Sequence, residues 1–351
     1  MGSSSVFSES IGQGTHRYNY QLIKNFDKLE HNDINIEKRL FNPLPSIFEG
    51  FSPLIYTPFM RLNSYDIIQE FASPCSRVGY GKAIVVGVVH DFHVLTDYMQ
   101  NIEEYRTLRG FLGLHLFGIP SIKYALRADY LFPNSTQTKE EAVHFGFDRR
   151  KLLVINHGIS KKFIRDPPSK LNKTDKDTFR VGYIGSFSTP KNVGFAIKAF
   201  LKTTSNDMIF DVWGARTGQY YNLINLAKGD HRIRFRGFVP ESRLVSTYDS
   251  FDVFVHPSLY EGFGLQIFEA QARGLPVVIY KHTKTPKEVR RYCIEVEDED
   301  HMASIIEELR TNGYNEKRRK IAMDYARGFT WEKTAMQTLD AYRWINKKEN
   351  F

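Results

Sequence analysis

The sequence predicts an α/β protein built from two doubly wound domains. A length of 351 residues is too great for one comfortable core and suits two. A stretch at 165–178, RDPPSKLNKTDKDT, has prolines, many charges and almost nothing to bury, and divides the chain into halves of similar length. In the second half, apolar runs of strand length alternate with helical patterns, which implies right-handed crossovers and a parallel sheet.

The first half begins with ESIGQGTHR at residues 9–17, where Gly12-Gln13-Gly14 is too short for a dinucleotide fingerprint because its sixth position is Arg17. Residues 41–62 are rich in aromatics, without a pattern that assigns them to helix or strand. Tyr65–Phe71 is a weak strand candidate, whereas Ala83–Val89, AIVVGVV, is the continuous apolar run of a strand buried on both faces. It ends at His90-Asp91. Tyr130–Pro133 and Leu152–Ile155 are further weak strands, and Ser135 is placed to cap a helix through TKEEAVH.

In the second half, Phe179–Ile184 is a strand ending in Gly185, followed by a helix over about 192–203. Ile209–Trp213, Arg232–Phe235, Asp252–His256 and Pro276–Tyr280 continue the series, with a helix from Leu265 to Arg273 before the last. In doubly wound sheets a ligand sits outside the carboxyl ends of the strands. That rule selects His90-Asp91, Asn156–Gly158, Gly185–Lys191, Trp213–Thr217 and His256–Gly264.

Composition narrows the function without naming it. Hydrophobic content of 42% and charged content of 25% are those of an ordinary globular protein. The two cysteines, Cys75 and Cys293, show no metal-ligand spacing and suggest a reducing, cytoplasmic compartment. No apolar run reaches the roughly 18 residues of a membrane span, and the start MGSSSVFSES lacks a signal peptide's apolar stretch. A net charge of +8 favours anionic partners, yet the basic residues are spread and no aromatic-basic motif supports nucleic acid. Of two Asp-x-Asp strings, Asp175–Asp177 lies in the polar stretch and Asp298–Asp300 precedes a helical pattern it would cap, so no metal is expected.

The segment DVFVHPSLYEGFGLQIFEAQARGLPVV at 252–278 carries the most chemistry. A buried strand leads through a glycine-bearing loop into a helix start, where unpaired amides and the positive end of the macrodipole suit a phosphate or sugar oxygen. Gly262 and Gly264 let that backbone approach closely, Glu261 lies in the loop, and Glu269 stands one turn into the helix, able to accept bonds from vicinal hydroxyls. In VGYIGSFSTPKN, Gly185 admits a phosphate and Lys191 supplies its counter-charge. His90 could transfer a proton or orient a hydroxyl beside Asp91, or instead cap the sheet as a structural histidine.

These residues resemble the Glu-x7-Glu motif of glycosyltransferase family 4, and the likeness runs from about residue 80 to the C-terminus. The resemblance implies a GT-B fold, two doubly wound Rossmann-like domains facing across a cleft, and a retaining hexosyltransferase using a UDP- or GDP-sugar. It implies that Glu261 contacts the donor sugar and Glu269 the ribose, that Phe263, Gly264 and Leu265 offer amides to sugar and diphosphate, and that Lys191 binds the diphosphate. The family commonly has arginine directly after the glycine, where this chain has Ser186; Arg216 is a candidate replacement. The resemblance also puts His90 close to the donor sugar, and Gly12 and Gly14 beside its phosphates.

The domains expected are 1–164 for the acceptor, 165–178 as linker, 179–330 for the nucleotide sugar, and a terminal helix 331–351 returning to the first domain, with Trp331 as a packing anchor. The expected partners are a nucleotide-diphosphate sugar and a glycan, lipid-linked or protein-linked acceptor, with no cofactor. Residues 41–62 and 105–127 are either buried core or a surface for the inner, anionic face of a membrane. An epimerase or phosphorylase on the same architecture, or a nucleic-acid-binding protein, are the competing readings.

Overall fold

The computed structural model describes residues 2–3, 14–29, 31–37, 40–41, 64–70, 81–92, 127–165, 178–216 and 218–349. The sites expected at Gly12 and Thr217, the aromatic stretch from 42 onward, nearly all of 105–127, and the polar 166–177 lie outside them. The chain forms two compact units, one of residues 1–158 with 331–351, the other of residues 159–330.

In the first unit, the two-residue strands Gly2–Ser3 (β1) and Leu40–Phe41 (β2) pair in parallel, and helix α1 spans Gly14–Phe26. Strands Ile67–Glu70 (β3), Ile84–Val89 (β4) and Tyr130–Pro133 (β5) form a parallel sheet in that order. The segment at 152–155 runs along β5, with Leu153 N donating to Leu131 O and Ile155 N to Pro133 O, both at 3.0 Å. Because side chains alternate faces along a strand, Val85 and Val89 join one core with Leu131 and Leu152, while Val86 joins a second with Tyr130 and Phe132. The terminal helix α11 (Trp331–Glu349) closes the second face through Ala341 and Ile345. Helix α2 (Thr136–His144) starts where expected, with Ser135 Oγ accepting from Thr138 N at 3.0 Å.

The second unit starts with the short helix α3 (Lys161–Ile164). Residues 159–164, expected with the first domain, lie here because Ile159 N donates to Phe329 O at 2.8 Å and Phe163 O accepts from the Arg273 guanidinium. Then follow Phe179–Ile184 (β6), Val193–Leu201 (α4), Met208–Trp213 (β7), Tyr220–Leu226 (α5) and Ile233–Gly237 (β8). Leu244–Asp249 (α6), Val253–His256 (β9), Leu265–Ala272 (α7), Val277–Tyr280 (β10), Lys287–Arg290 (α8) and Ile294–Val296 (β11) complete the sheet, and Glu299–Asn312 (α9) and Glu316–Arg327 (α10) cover it. All six strands are parallel, in the order β11-β10-β9-β6-β7-β8. Strand β11 escapes the sequence because IEV is too short and too charged to read as an apolar run.

This order reverses between β6 and β9, which makes their carboxyl ends the topological switch point where such sheets bind ligands. Asp298 caps α9, its carboxylate accepting from His301 N at 2.8 Å, as its position before MASIIEEL suggested.

Candidate active site

The loops after β6 and β9 meet at the switch point. Leu259 N donates to Pro190 O at 2.8 Å and Asn192 Nδ2 to Pro257 O at 3.3 Å. A third segment locks the second loop, with Lys284 N donating to Leu259 O at 2.7 Å and Glu261 N to Lys284 O at 3.3 Å. Gly264 precedes α7 with φ of +87°, a left-handed turn that a side chain would strain. The first amides of α7 follow directly on that turn and have no acceptor within the helix.

Glu261, 7% exposed, is the centre of the charge pattern. Lys191 Nζ donates to its Oε1 at 2.7 Å. His256 Nε2 lies 2.8 Å from the same oxygen, and because an ionised carboxylate only accepts, Nε2 carries the proton. Burial opposes ionisation of Glu261, but the charges of Lys191 and His256 and their hydrogen bonds outweigh it and hold the carboxyl well below the usual carboxylate range. Tyr183, on β6, has its hydroxyl pushed well up by burial and by the Glu261 charge, and donates to Ser186 O at 2.7 Å.

Glu269 is buried on α7, and Tyr248 donates to its Oε2 at 2.9 Å. The sequence marked His256 as the end of a strand without giving it a role, and did not single out Tyr248. His256 ends a strand beside a conspicuous motif, a signal that was available, whereas Tyr248 sits in an ordinary helical pattern and only the fold carries it to Glu269.

The β6 and β7 loops also interlock. Gly185 N donates to Trp213 O at 3.0 Å, and a Cβ on Gly214 would stand 2.3 Å from Gly185 O. Ser186, in the expected arginine's place, pairs its hydroxyl with Ser188 at 3.1 Å. Arg216 is exposed on the β7 loop, with its guanidinium 5.7 Å from the Tyr220 ring centre. Tyr220 stacks on Phe187 of the β6 loop, so the candidate replacement cation shares the strand-end face with the glycine loop.

His90, Asp91 and Gly14 belong to the first unit, where Gly14 opens α1. The His90 ring is packed against Tyr18 and His157, each with centroids 5.1 Å away, and Tyr18 and His157 also contact Trp331. Neither His90 ring nitrogen has a hydrogen-bond partner among the described residues. Burial drives its pKa down to about 4 against the opposing pull of Asp91, so the ring is neutral near pH 7. Asn156 Nδ2 donates to Asn134 O at 2.9 Å, and its own carbonyl accepts from Thr334 Oγ1 at 2.8 Å. Among the described residues no three His, Cys, Asp or Glu side chains gather as a metal-ligand set, and no helix is long and apolar enough to cross a membrane.

Residues 178–312 match the glycosyl transferases group 1 family. The O-antigen chain mannosyltransferase B of Escherichia coli is 29% identical over 170 residues, covering 46% of this chain and 45% of that protein. The chain spans about half the length of the first curated relatives it matches. In structure it is similar to a sucrose-phosphate synthase from Thermosynechococcus elongatus, with a TM-score of 0.74, 17% identity, and coverage of 98% of this chain and 97% of that one. The Anabaena protein Alr3699/HepE, in complex with UDP-glucose, superposes with a TM-score of 0.68 at 19% identity, covering 96% and 97%. The chain thus has the fold of the GT-B glycosyltransferases, and its residues 178–312 are similar to the glycosyl transferases group 1 family.

Proposed function

We propose that this chain is a retaining, metal-independent glycosyltransferase that moves a hexose from a nucleotide-diphosphate sugar to a hydroxyl of a glycan, lipid-linked or protein-linked acceptor. The observation that carries the reading is the Lys191–Glu261–His256 cluster around the buried Glu261 at the switch point, close in sequence to the helix start at Gly264. The Anabaena protein of this fold holds UDP-glucose, and the relative from Escherichia coli is a mannosyltransferase, which supports a UDP- or GDP-hexose.

In this reading the anomeric carbon–oxygen bond breaks and the nucleoside diphosphate departs. Lys191 and the amides of Phe263, Gly264 and Leu265 stabilise the charge that grows on it. The acceptor hydroxyl attacks from the same face and gives its proton to the departing phosphate. Glu269, oriented by Tyr248, accepts from the ribose hydroxyls. Arg216 is the second phosphate cation. The chain works in the cytoplasm, with peripheral contact to anionic membrane where the acceptor is lipid-linked.

A panel of UDP-, GDP- and ADP-sugars, read by thermal shift and donor hydrolysis with and without EDTA, tests the reading. One nucleotide class should stabilise the wild type equally with and without EDTA, and Glu269→Ala should abolish the shift. Equal response of wild type and variant sinks the donor-site assignment; loss of the shift in EDTA sinks metal independence. Product anomericity from the active donor, read by NMR, decides retention. Release of free sugar or an epimer as the sole product, with no acceptor glycosylated, counts against a transferase.

A further inference from the structure

Two donors converge on one oxygen of Glu261, and they differ in freedom. Lys191 reaches it from the turn after β6 on a long side chain that is 24% exposed. His256 is 3% exposed, ends β9 opposite Ile279 of β10, and packs its ring 6.2 Å from that of Phe254. Its Nδ1 has no hydrogen-bond partner among the described residues, so among them the ring is anchored through Nε2 to Glu261. A donor diphosphate carries more negative charge than one carboxylate and competes for the Lys191 ammonium; the walled-in imidazole has nowhere to follow.

We infer that His256 is a positioning residue that keeps the Glu261 carboxylate oriented and ionised when Lys191 shifts to the donor diphosphate. This rests on the donor-site reading above. Among the described residues, the titratable groups that act on Glu261 are Lys191 from the β6 turn, His256 from β9 and Tyr183 from β6. The Tyr183 hydroxyl is committed to Ser186 O, so it does not substitute as a donor. Without His256, the loss of Lys191 would leave a buried anion whose desolvation favours protonation and rotation.

The test compares His256→Leu, which removes the donor, with His256→Gln, whose side-chain amide offers an N–H near the position of Nε2. With a nucleotide sugar that the wild type turns over, His256→Leu should lose at least about tenfold in kcat. It should also gain an acid limb in kcat between about pH 5 and 7, which the wild type lacks. His256→Gln should recover most of the rate and remove the limb. In the unliganded wild type, nitrogen NMR should show the His256 proton on Nε2. Equal impairment of both variants with an unchanged pH profile assigns His256 to packing alone and overturns the inference, as does a proton found on Nδ1 only. A wild type that binds no nucleotide sugar overturns the donor-site reading and the hand-over built on it, while the NMR result separately judges the His256–Glu261 bond.

Discussion

The strand ends of the two units solve the same electrostatic problem in opposite ways. In the second unit, the ends of β6 and β9 bury a carboxylate and keep it charged by pairing it with Lys191 and His256. In the first, the end of β4 and the turn after residue 155 bury His90 and His157 among Tyr18 and Trp331, and burial keeps both imidazoles neutral. Desolvation acts in both places. Only the second unit supplies counter-charges that outweigh it. The comparison predicts that diphosphate chemistry depends on the second cluster, and that acid sensitivity of the fold resides in the first.

Lys191→Met should have the largest effect, lowering nucleotide-sugar turnover by about 10²–10³-fold, the usual cost of removing one transition-state charge partner. Circular dichroism should remain native, because His256 still holds Glu261. A variant with near wild-type kcat would show that the ion pair is structural and dissolve the contrast between the units.

Acid should separate the units next. His90 titrates near 6.5 when unfolded and about 4 when folded, so between these values the unfolded chain binds the extra proton and stability falls as pH drops. His157, also depressed by burial and then by His90, contributes with the same sign. Glu261 acts otherwise: its folded pKa is depressed, so its contribution is present above the ordinary value of 4.5 and is lost only as pH falls well below it. A brief hydrogen-exchange pulse at fixed labelling pH, after incubation between pH 7 and 4, should find residues 84–92 and 152–157 losing protection before 253–272. The reverse order would refute the assignment of acid sensitivity.

Gly264→Ala should destabilise the second unit by about 1–2 kcal/mol, because φ of +87° is costly for a residue with a Cβ. Thermal unfolding of the variant reads this directly, and an unchanged midpoint would mean that the turn relaxes. The smallest effect is expected from Tyr248→Phe, which removes one hydrogen bond to Glu269 and should weaken nucleoside diphosphate binding about three- to tenfold by calorimetry. Unchanged affinity would detach Glu269's orientation from nucleotide binding.

The comparison also explains what could be read from the chain. The second unit was legible because parallel strands buried on both faces appear as short apolar runs, and VGYIG, VFVH and PVVIY stand out between amphipathic helices. Lys191, Glu261 and Gly264 drew notice for a related reason, as polar or glycine positions at strand and helix ends, and Glu269 as a carboxylate within the mostly apolar helix α7. The first unit reads less well, because β3 and β5 are four residues each and part of its packing surface comes from α11, far away in sequence.

By itself, then, the sequence determined the α/β class and most of the strands of the second unit, since these follow from local periodicity and residue type. Tertiary structure alone decided that β6 and β9 are neighbours, which no local pattern encodes. That adjacency brings Lys191 and His256, 65 residues apart in numbering, onto one oxygen of Glu261, and turns a glutamate in a loop into a buried carboxylate with two donors.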